Sequence, residues 1–133
     1  MEETTKYKIL IVDDDNFLLD MYALKFSQEE KFSVQTALGS MPAYEKLKGG
    51  FTPDVMLLDV VMPGMDGFEL LERLRDEKIA ESTVKIILSN RGQQSDIERG
   101  DTLSVAGYIV KASSTPGEVI TKVTDIVLAK LPR

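Results

Sequence analysis

Short apolar runs rich in Ile, Val and Leu recur along the chain at residues 7–12 (YKILIV), 32–37 (FSVQTA), 54–59 (DVMLLD), 84–89 (VKIILS) and 106–110 (AGYIV). Between them lie segments with helical spacing. Phe17, Met21 and Leu24 fit one helix face, Phe68, Leu71 and Leu74 another, and Val119, Val123, Ile126 and Val127 a third. Helix starts are marked by three pairs that resemble capping boxes: Asp66 with Glu69, Ser95 with Glu98, and Thr115 with Glu118. Pro116 follows Thr115 at a first helical position, where its missing N–H costs nothing. The pattern reads as strand then helix, five times over. Strands that are apolar on both faces belong to a parallel sheet covered by helices on both sides. With right-handed crossovers this predicts an open, doubly wound α/β fold.

Composition narrows the chemistry. The 133 residues fit one domain spanning 1–133, with a core over about 7–130, and 43% of them are apolar. The net charge of −6 argues against direct nucleic-acid binding, which needs clustered Lys and Arg. There is no Cys and no His, which excludes disulfides, thiolate metal sites, a Cys nucleophile and a His general base. Any chemistry must therefore use carboxylates, hydroxyls, amines or a bound metal. The leading stretch, with Glu2 and Glu3, lacks the apolar core of a signal peptide, and no apolar run reaches the ~20 residues of a membrane span. The expectation is a cytoplasmic protein with no membrane contact.

The strand ends matter most. The first run ends in Asp13, Asp14 and Asp15, the third in Asp59 and the fourth in Ser89, while Lys111 follows the fifth. In a parallel sheet all these ends share one edge, and ligands bind in the crevice there. Carboxylates crowded at that edge repel. At ~4 Å and an effective dielectric of about 20, each pair costs on the order of 4 kcal/mol. Either protons are taken up, or a divalent cation binds. Mg²⁺ suits an all-oxygen site and keeps room for phosphate oxygens. A Lys and a Ser beside it suit a phosphoryl group. The acidic residues after the first strand equally suit capping of the next helix. A calcium loop does not fit, since Phe17 stands at a ligand position and the loop glycine is absent.

Four segments carry a family resemblance: ILIVDDD (9–15), DVMLLDVVMPGMDGFELL (54–71), IILSN (86–90) and YIVKAS (108–113). Over essentially its whole length the chain resembles the receiver domain of two-component response regulators. The resemblance implies a flavodoxin-like five-stranded parallel sheet in the order 2-1-3-4-5 with five helices. It implies that Asp59 is the phosphoacceptor. Asp14, Asp59 and the backbone carbonyl of Val61 would ligate Mg²⁺, with Asp13 acting through a metal-bound water. Lys111 would pair with the phosphoryl group and Ser89 would hydrogen-bond to it. Tyr108 would be either the aromatic switch coupled to Ser89 or an interface aromatic. The implied partners are a histidine kinase or phosphotransfer protein upstream and an unidentified protein downstream. The downstream contact would use the face of the fourth helix, fifth strand and fifth helix. The chain would be a monomer or a weak phosphorylation-dependent dimer, and no enzyme beyond its own phosphorylation and dephosphorylation.

Within the same segments, Gly64 and Gly67 look like backbone devices, and Met62 and Met65 like packing residues. Two positions depart from the family pattern. Asn90 replaces the usual small residue, which predicts narrower access to the phosphoryl site. Ala112 replaces the usual proline after the lysine. The expectation here is that the Lys111–Ala112 bond stays cis, so that Lys111 still reaches the site, despite the roughly 2.5–4 kcal/mol that cis costs before a non-proline residue. Val61 and Arg91 lie where the family tunes dephosphorylation. Arg91 either meets the phosphoryl group, blocks water, or is a solvated surface residue. After the fifth helix only LAKLPR (128–133) remains, which fits a stand-alone switch or a piece of a longer chain. Two other classes stay open: a Mg²⁺-dependent phosphohydrolase of similar fold, and a non-phosphorylated scaffold of receiver shape.

Overall fold

The computed structural model describes residues 6–132, so Glu2 and Glu3 lie outside the described residues. Strands β1 (Tyr7–Asp13), β2 (Phe32–Leu38), β3 (Val55–Leu58), β4 (Val84–Ser89) and β5 (Gly107–Val110) form one sheet in the order β2-β1-β3-β4-β5. Every pairing is parallel. The five α-helices of the described residues are α1 (Asn16–Ser27), α2 (Ser40–Lys48), α3 (Gly67–Glu77), α4 (Gln94–Thr102) and α5 (Pro116–Lys130). This is the doubly wound sheet that the apolar pattern predicts.

Alternation along the strands divides the core into two layers. Leu10, Val12, Met56, Leu58 and Ile87 face a layer shared with α2, α3 and Leu103 after α4. Ile9, Ile11, Val55, Leu57, Ile86, Leu88 and Ile109 face the layer shared with α1 and α5. The chain winds outward from β1 to β2 and then returns past β1 to β3, so right-handed crossovers place α2 to α4 opposite α1 and α5. The winding reverses between β1 and β3, which opens the crevice between their C-terminal ends.

Local chemistry sets the helix boundaries. Asp66 Oδ1 accepts from the Glu69 N–H at 2.8 Å while Glu69 accepts from the Asp66 N–H at 3.0 Å, a full capping box on α3. Thr115 and Glu118 do the same for α5, at 3.1 and 2.9 Å. Ser95 does not cap α4. The helix already begins at Gln94, and the Gln93 carbonyl accepts from Asp96 and Ile97, so Ser95 lies within the first turn.

The face expected of the first helix is also different. Phe17 is 79% exposed and Leu24 59%, and of the expected face only Met21 packs against the core, half-buried, whereas Leu19, Tyr22 and Phe26 are buried. Apolar residues surround α1 on most sides, so spacing alone fits two faces. Packing against β1, β2 and α5 selects the one carrying Phe26, whose ring meets Phe32 edge-on at 5.3 Å.

The cis bond expected before Ala112 is absent, since the described residues contain no cis peptide. Without proline the trans form has no competitor of similar energy. Lys111–Ser113 instead forms a single 3₁₀ turn, closed by the Ser114 N–H on the Lys111 carbonyl at 3.2 Å. That turn brings Lys111 to the sheet edge with an ordinary backbone.

Gly67 is a contact position. A Cβ there would lie 2.3 Å from the Asp59 carbonyl oxygen and 2.9 Å from the Val60 Cα. Both neighbours are backbone, so neither can yield without moving the strand end. Gly67→Ala is expected to cost about 1–3 kcal/mol in urea unfolding. A cost near zero would show that the close approach of α3 to the end of β3 is not needed.

Candidate functional site

The register of the central strands assembles the site. Val12 pairs with Leu58, so the next residues, Asp13 and Asp59, stand side by side across the switch point. The Asp59 N–H donates to the Val12 carbonyl at 3.0 Å, extending the ladder to the last residue that can join it. One carboxylate oxygen each from Asp13, Asp14 and Asp59 lie within 4.8 Å of one another. Asp13 and Asp59 are buried, and Asp14 is exposed.

The third acid of the run does something else. Asp15 accepts from the Leu18 N–H at 3.1 Å and caps α1. The sequence DDD thus divides its labour, with Asp15 capping the helix while Asp13 and Asp14 join Asp59 in the acidic cluster. Asp13 is fixed in turn by the Asp15 N–H, which donates to its Oδ1 at 3.0 Å.

Lys111 Nζ bridges the two buried acids, 2.7 Å from Asp13 Oδ2 and 3.1 Å from Asp59 Oδ2. Its side chain is only 10% exposed, so the pairing is screened weakly by solvent. Burial pulls the Lys111 ammonium down, but the hydrogen bond to Asp13 and the charges of Asp59 and Asp13 outweigh it, and it sits above its ordinary range. Burial pushes the Asp13 carboxyl up, against the lowering effect of Lys111 and of the Asp15 N–H.

The other oxygen of Asp59, Oδ1, accepts from the Val60 N–H at 2.7 Å and the Val61 N–H at 3.3 Å. These bonds hold the carboxylate plane fixed at the mouth of the cleft. Ser89 is fully buried, and its Oγ accepts from the Arg91 N–H at 3.2 Å. A cleft of about 440 Å³ is lined by Asp13, Asp14, Asp59, Val61, Ser89 and Lys111, together with Asp15, Leu18, Asn90 and Arg91. Of the residues expected to hold the metal, meet the phosphoryl group, switch or tune the rate, all line this cleft except Tyr108. Tyr108 packs against the α2–α4 layer, and its hydroxyl donates to the Arg91 carbonyl behind the cleft.

Sequence reasoning missed Asp96. It is buried in the first turn of α4 and accepts from Arg91 Nη2 at 2.8 Å. An acid in a first helical turn is common on exposed surfaces, so no pattern in the sequence marked this one.

The donor set fits a hard divalent cation. Three carboxylates against the one ammonium of Lys111 leave two negative charges uncompensated, and all the donors are oxygen. A doubly charged ion balances what Lys111 leaves over.

A flavodoxin-like sheet with an acidic cleft at its switch point defines the class of this domain. A family model for the response regulator receiver domain matches residues 9–124, and the chain belongs to that family. Its members are phosphorylation-dependent switches of two-component signalling. The chain is 36% identical over 110 residues to the phosphate regulon transcriptional regulatory protein PhoB of Rhizobium meliloti, covering 82% of this chain and 47% of that one. It is 34% identical over 127 residues to the transcriptional regulatory protein ResD of Bacillus subtilis, covering 92% and 49%. The chain therefore spans about half the length of these curated relatives. Among solved structures, a Francisella response regulator receiver domain superposes with a TM-score of 0.81 at 26% identity, over 93% of this chain and 98% of that one. A CheY-like receiver from Methanospirillum hungatei gives 0.83 at 24% identity, over 95% and 97%, a likeness of fold. No helix of the described residues is long and apolar enough to cross a membrane.

Because the folded state holds Lys111 above its unfolded value, its stabilising effect is complete below the unfolded pKa of about 10.4 and fades as pH rises through the folded one. The stability difference between wild type and Lys111→Met is expected to be level from pH 7 to 9 and to shrink at higher pH. A difference that stays level through pH 11 would contradict the pairing.

Proposed function

We propose that this domain accepts a phosphoryl group on Asp59 and relays its presence by protein contact. The single observation that carries the reading is the bridging of Asp13 and Asp59 by Lys111 beside the exposed Asp14. This arrangement leaves one nucleophilic carboxylate oriented, paired and open to a cleft.

Asp14 and Asp59, with the Val61 backbone carbonyl, would hold Mg²⁺, and Asp13 would act through water. When bound, Mg²⁺ neutralises charge on the equatorial phosphoryl oxygens. The residues of the chain do the rest. Val60 and Val61 N–H groups orient the Asp59 carboxylate for in-line attack. A bond forms between an Asp59 oxygen and phosphorus as the bond to the donor's leaving group breaks, and that group departs with the electron pair. Lys111 follows the transferred charge, exchanging an acid partner for a phosphoryl oxygen. Ser89 turns its hydroxyl from the Arg91 N–H to donate to another. Later, water attacks phosphorus, the bond to Asp59 breaks, and the carboxylate returns with release of inorganic phosphate. Asn90, Arg91 and Val61 line the route of that water and set its rate.

The donor is a phosphohistidine on a kinase or phosphotransfer protein, or a small phosphodonor, and the setting is cytoplasmic. Movement of Ser89 reaches Tyr108 through the Arg91 backbone, which both touch. That coupling re-presents the face of α4, β5 and α5 to a downstream protein. The chain catalyses nothing beyond its own modification and its reversal.

A phosphohydrolase reading lacks its general acid. Two residues beyond Asp59 stands the exposed apolar Val61, and two beyond Asp13 stands Asp15, which is occupied in capping α1. Incubation with acetyl phosphate and Mg²⁺ is expected to label the protein once, at Asp59, and Asp59→Asn is expected to abolish the label. Steady turnover of p-nitrophenyl phosphate without a stable label would favour the hydrolase, and no label at all would favour a scaffold.

A further inference from the structure

Arg91 occupies a junction. Its backbone N–H donates to Ser89 Oγ, and its carbonyl accepts from the Tyr108 hydroxyl. Arg91 lines the same cleft as Asp59, yet its guanidinium is held by Asp96 on α4, 2.8 Å away. The two ends of this ion pair differ sharply. Arg91's side chain is 50% exposed, whereas that of Asp96 is 7% exposed. A half-exposed guanidinium can change partners with little reorganisation. The Asp96 carboxylate is buried and lies in the first turn of α4, where the helix dipole favours its charge. Asp96 is thus an acceptor that tolerates temporary loss of its cation.

Phosphorylation would place a second, stronger acceptor in the cleft. A phosphoryl group carries more charge than a carboxylate and offers several oxygens to a planar two-pronged donor. One guanidinium cannot serve both sites at full strength. We infer that Asp96 is a positioning residue for Arg91. It holds the guanidinium on the α4 side while Asp59 is free, and releases it to the phosphoryl group once that group forms. This inference rests on the receiver reading above and assigns Asp96 a part in it. Two consequences follow from the bonds on either side of Arg91. Transfer of the guanidinium pulls on the backbone that Ser89 and Tyr108 share, so the exchange supports the switch. A guanidinium over the phosphoryl group also obstructs the water that would attack phosphorus, expel the Asp59 carboxylate and release inorganic phosphate. Asp96 therefore shortens the life of the phosphorylated state by competing for the residue that protects it.

The test is a double-mutant cycle on that lifetime, measured after labelling with acetyl phosphate and Mg²⁺. Asp96→Asn is expected to lengthen it about threefold to fivefold, in keeping with the strength of a partly exposed ion pair. Arg91→Gln is expected to shorten it, and Asp96→Asn added to Arg91→Gln is expected to change nothing further. Asp96→Glu, which restores the charge, is expected to return the lifetime towards wild type. An Asp96→Asn lifetime equal to wild type, or lengthened equally when Arg91 is already Gln, overturns the inference. NMR on the wild-type protein gives a check that needs no variant. With Mg²⁺ and beryllofluoride the Arg91 side-chain resonance is expected to shift together with that of Tyr108, and a stationary Arg91 beside a shifted Asp59 also overturns the exchange. Absence of both label and beryllofluoride response in wild type would instead bring down the receiver reading, and this inference with it.

Discussion

The structure is organised around one electrostatic constraint: two buried carboxylates, from neighbouring strands, share one ammonium. Asp13 and Asp59 stand side by side because β1 and β3 are parallel and in register, and Lys111 spans them from the end of β5. Lys111 balances only one of the three acidic charges, so the cleft stays negative and selects for a further cation. That imbalance is useful. Three carboxylates against one ammonium make the cleft a place where a cation is favoured. The sheet supplies the rigidity that such a site needs, since Val12, Leu57, Leu58, Ile86 and Ile87 are almost wholly buried directly beneath it.

Rigid and movable parts are separated accordingly. The end of β3 is fixed by the Asp59 N–H on Val12, by the Val60 and Val61 N–H groups on Asp59 Oδ1, and by the close packing of Gly67 against the Asp59 carbonyl. The β4–α4 connection is held more lightly. Its links are the Ser89–Arg91 bond, the half-exposed Arg91–Asp96 pair and the Tyr108 hydroxyl on the Arg91 carbonyl. The end of β3 is thus the more firmly held side of the cleft, and the β4–α4 connection the more lightly held one. Ser89 and Tyr108 are joined through one residue, since the Arg91 N–H donates to Ser89 Oγ and the Arg91 carbonyl accepts from the Tyr108 hydroxyl.

Much of this was legible in the sequence, for identifiable reasons. Strand runs apolar on both faces allow only a covered parallel sheet, and that topology brings Asp13, Asp14, Asp59, Ser89 and Lys111 to one edge regardless of loop detail. The capping boxes at Asp66 and Thr115 read correctly because their bonds are local. The errors lie where local pattern is ambiguous or overruled. Apolar residues on most sides of α1 left its buried face undetermined, and packing against Phe32 chose Phe26 over Phe17 and Leu24. Ser95 with Glu98 matched a capping box, but the helix starts two residues earlier than that box implies, at Gln94 with Gln93 as its N-cap. Lys111 reaches its partners through a 3₁₀ turn and a trans bond, so its amine meets Asp13 and Asp59 without a cis peptide. Asp96 was invisible because its burial and its pairing with Arg91 depend on how α4 lies, which no spacing encodes.

We propose that the uncompensated charge of Asp13, Asp14 and Asp59 is matched to one divalent cation. Urea unfolding at increasing Mg²⁺, for wild type and Asp14→Asn, measures this directly. Binding to the native state alone stabilises by RT ln(1 + [Mg²⁺]/Kd), about 2.7 kcal/mol at a hundredfold excess over Kd. Wild-type stability is expected to climb with Mg²⁺ along that curve, and Asp14→Asn to respond only at much higher concentration. Stability indifferent to Mg²⁺ in wild type, or equal responses in both proteins, would contradict it.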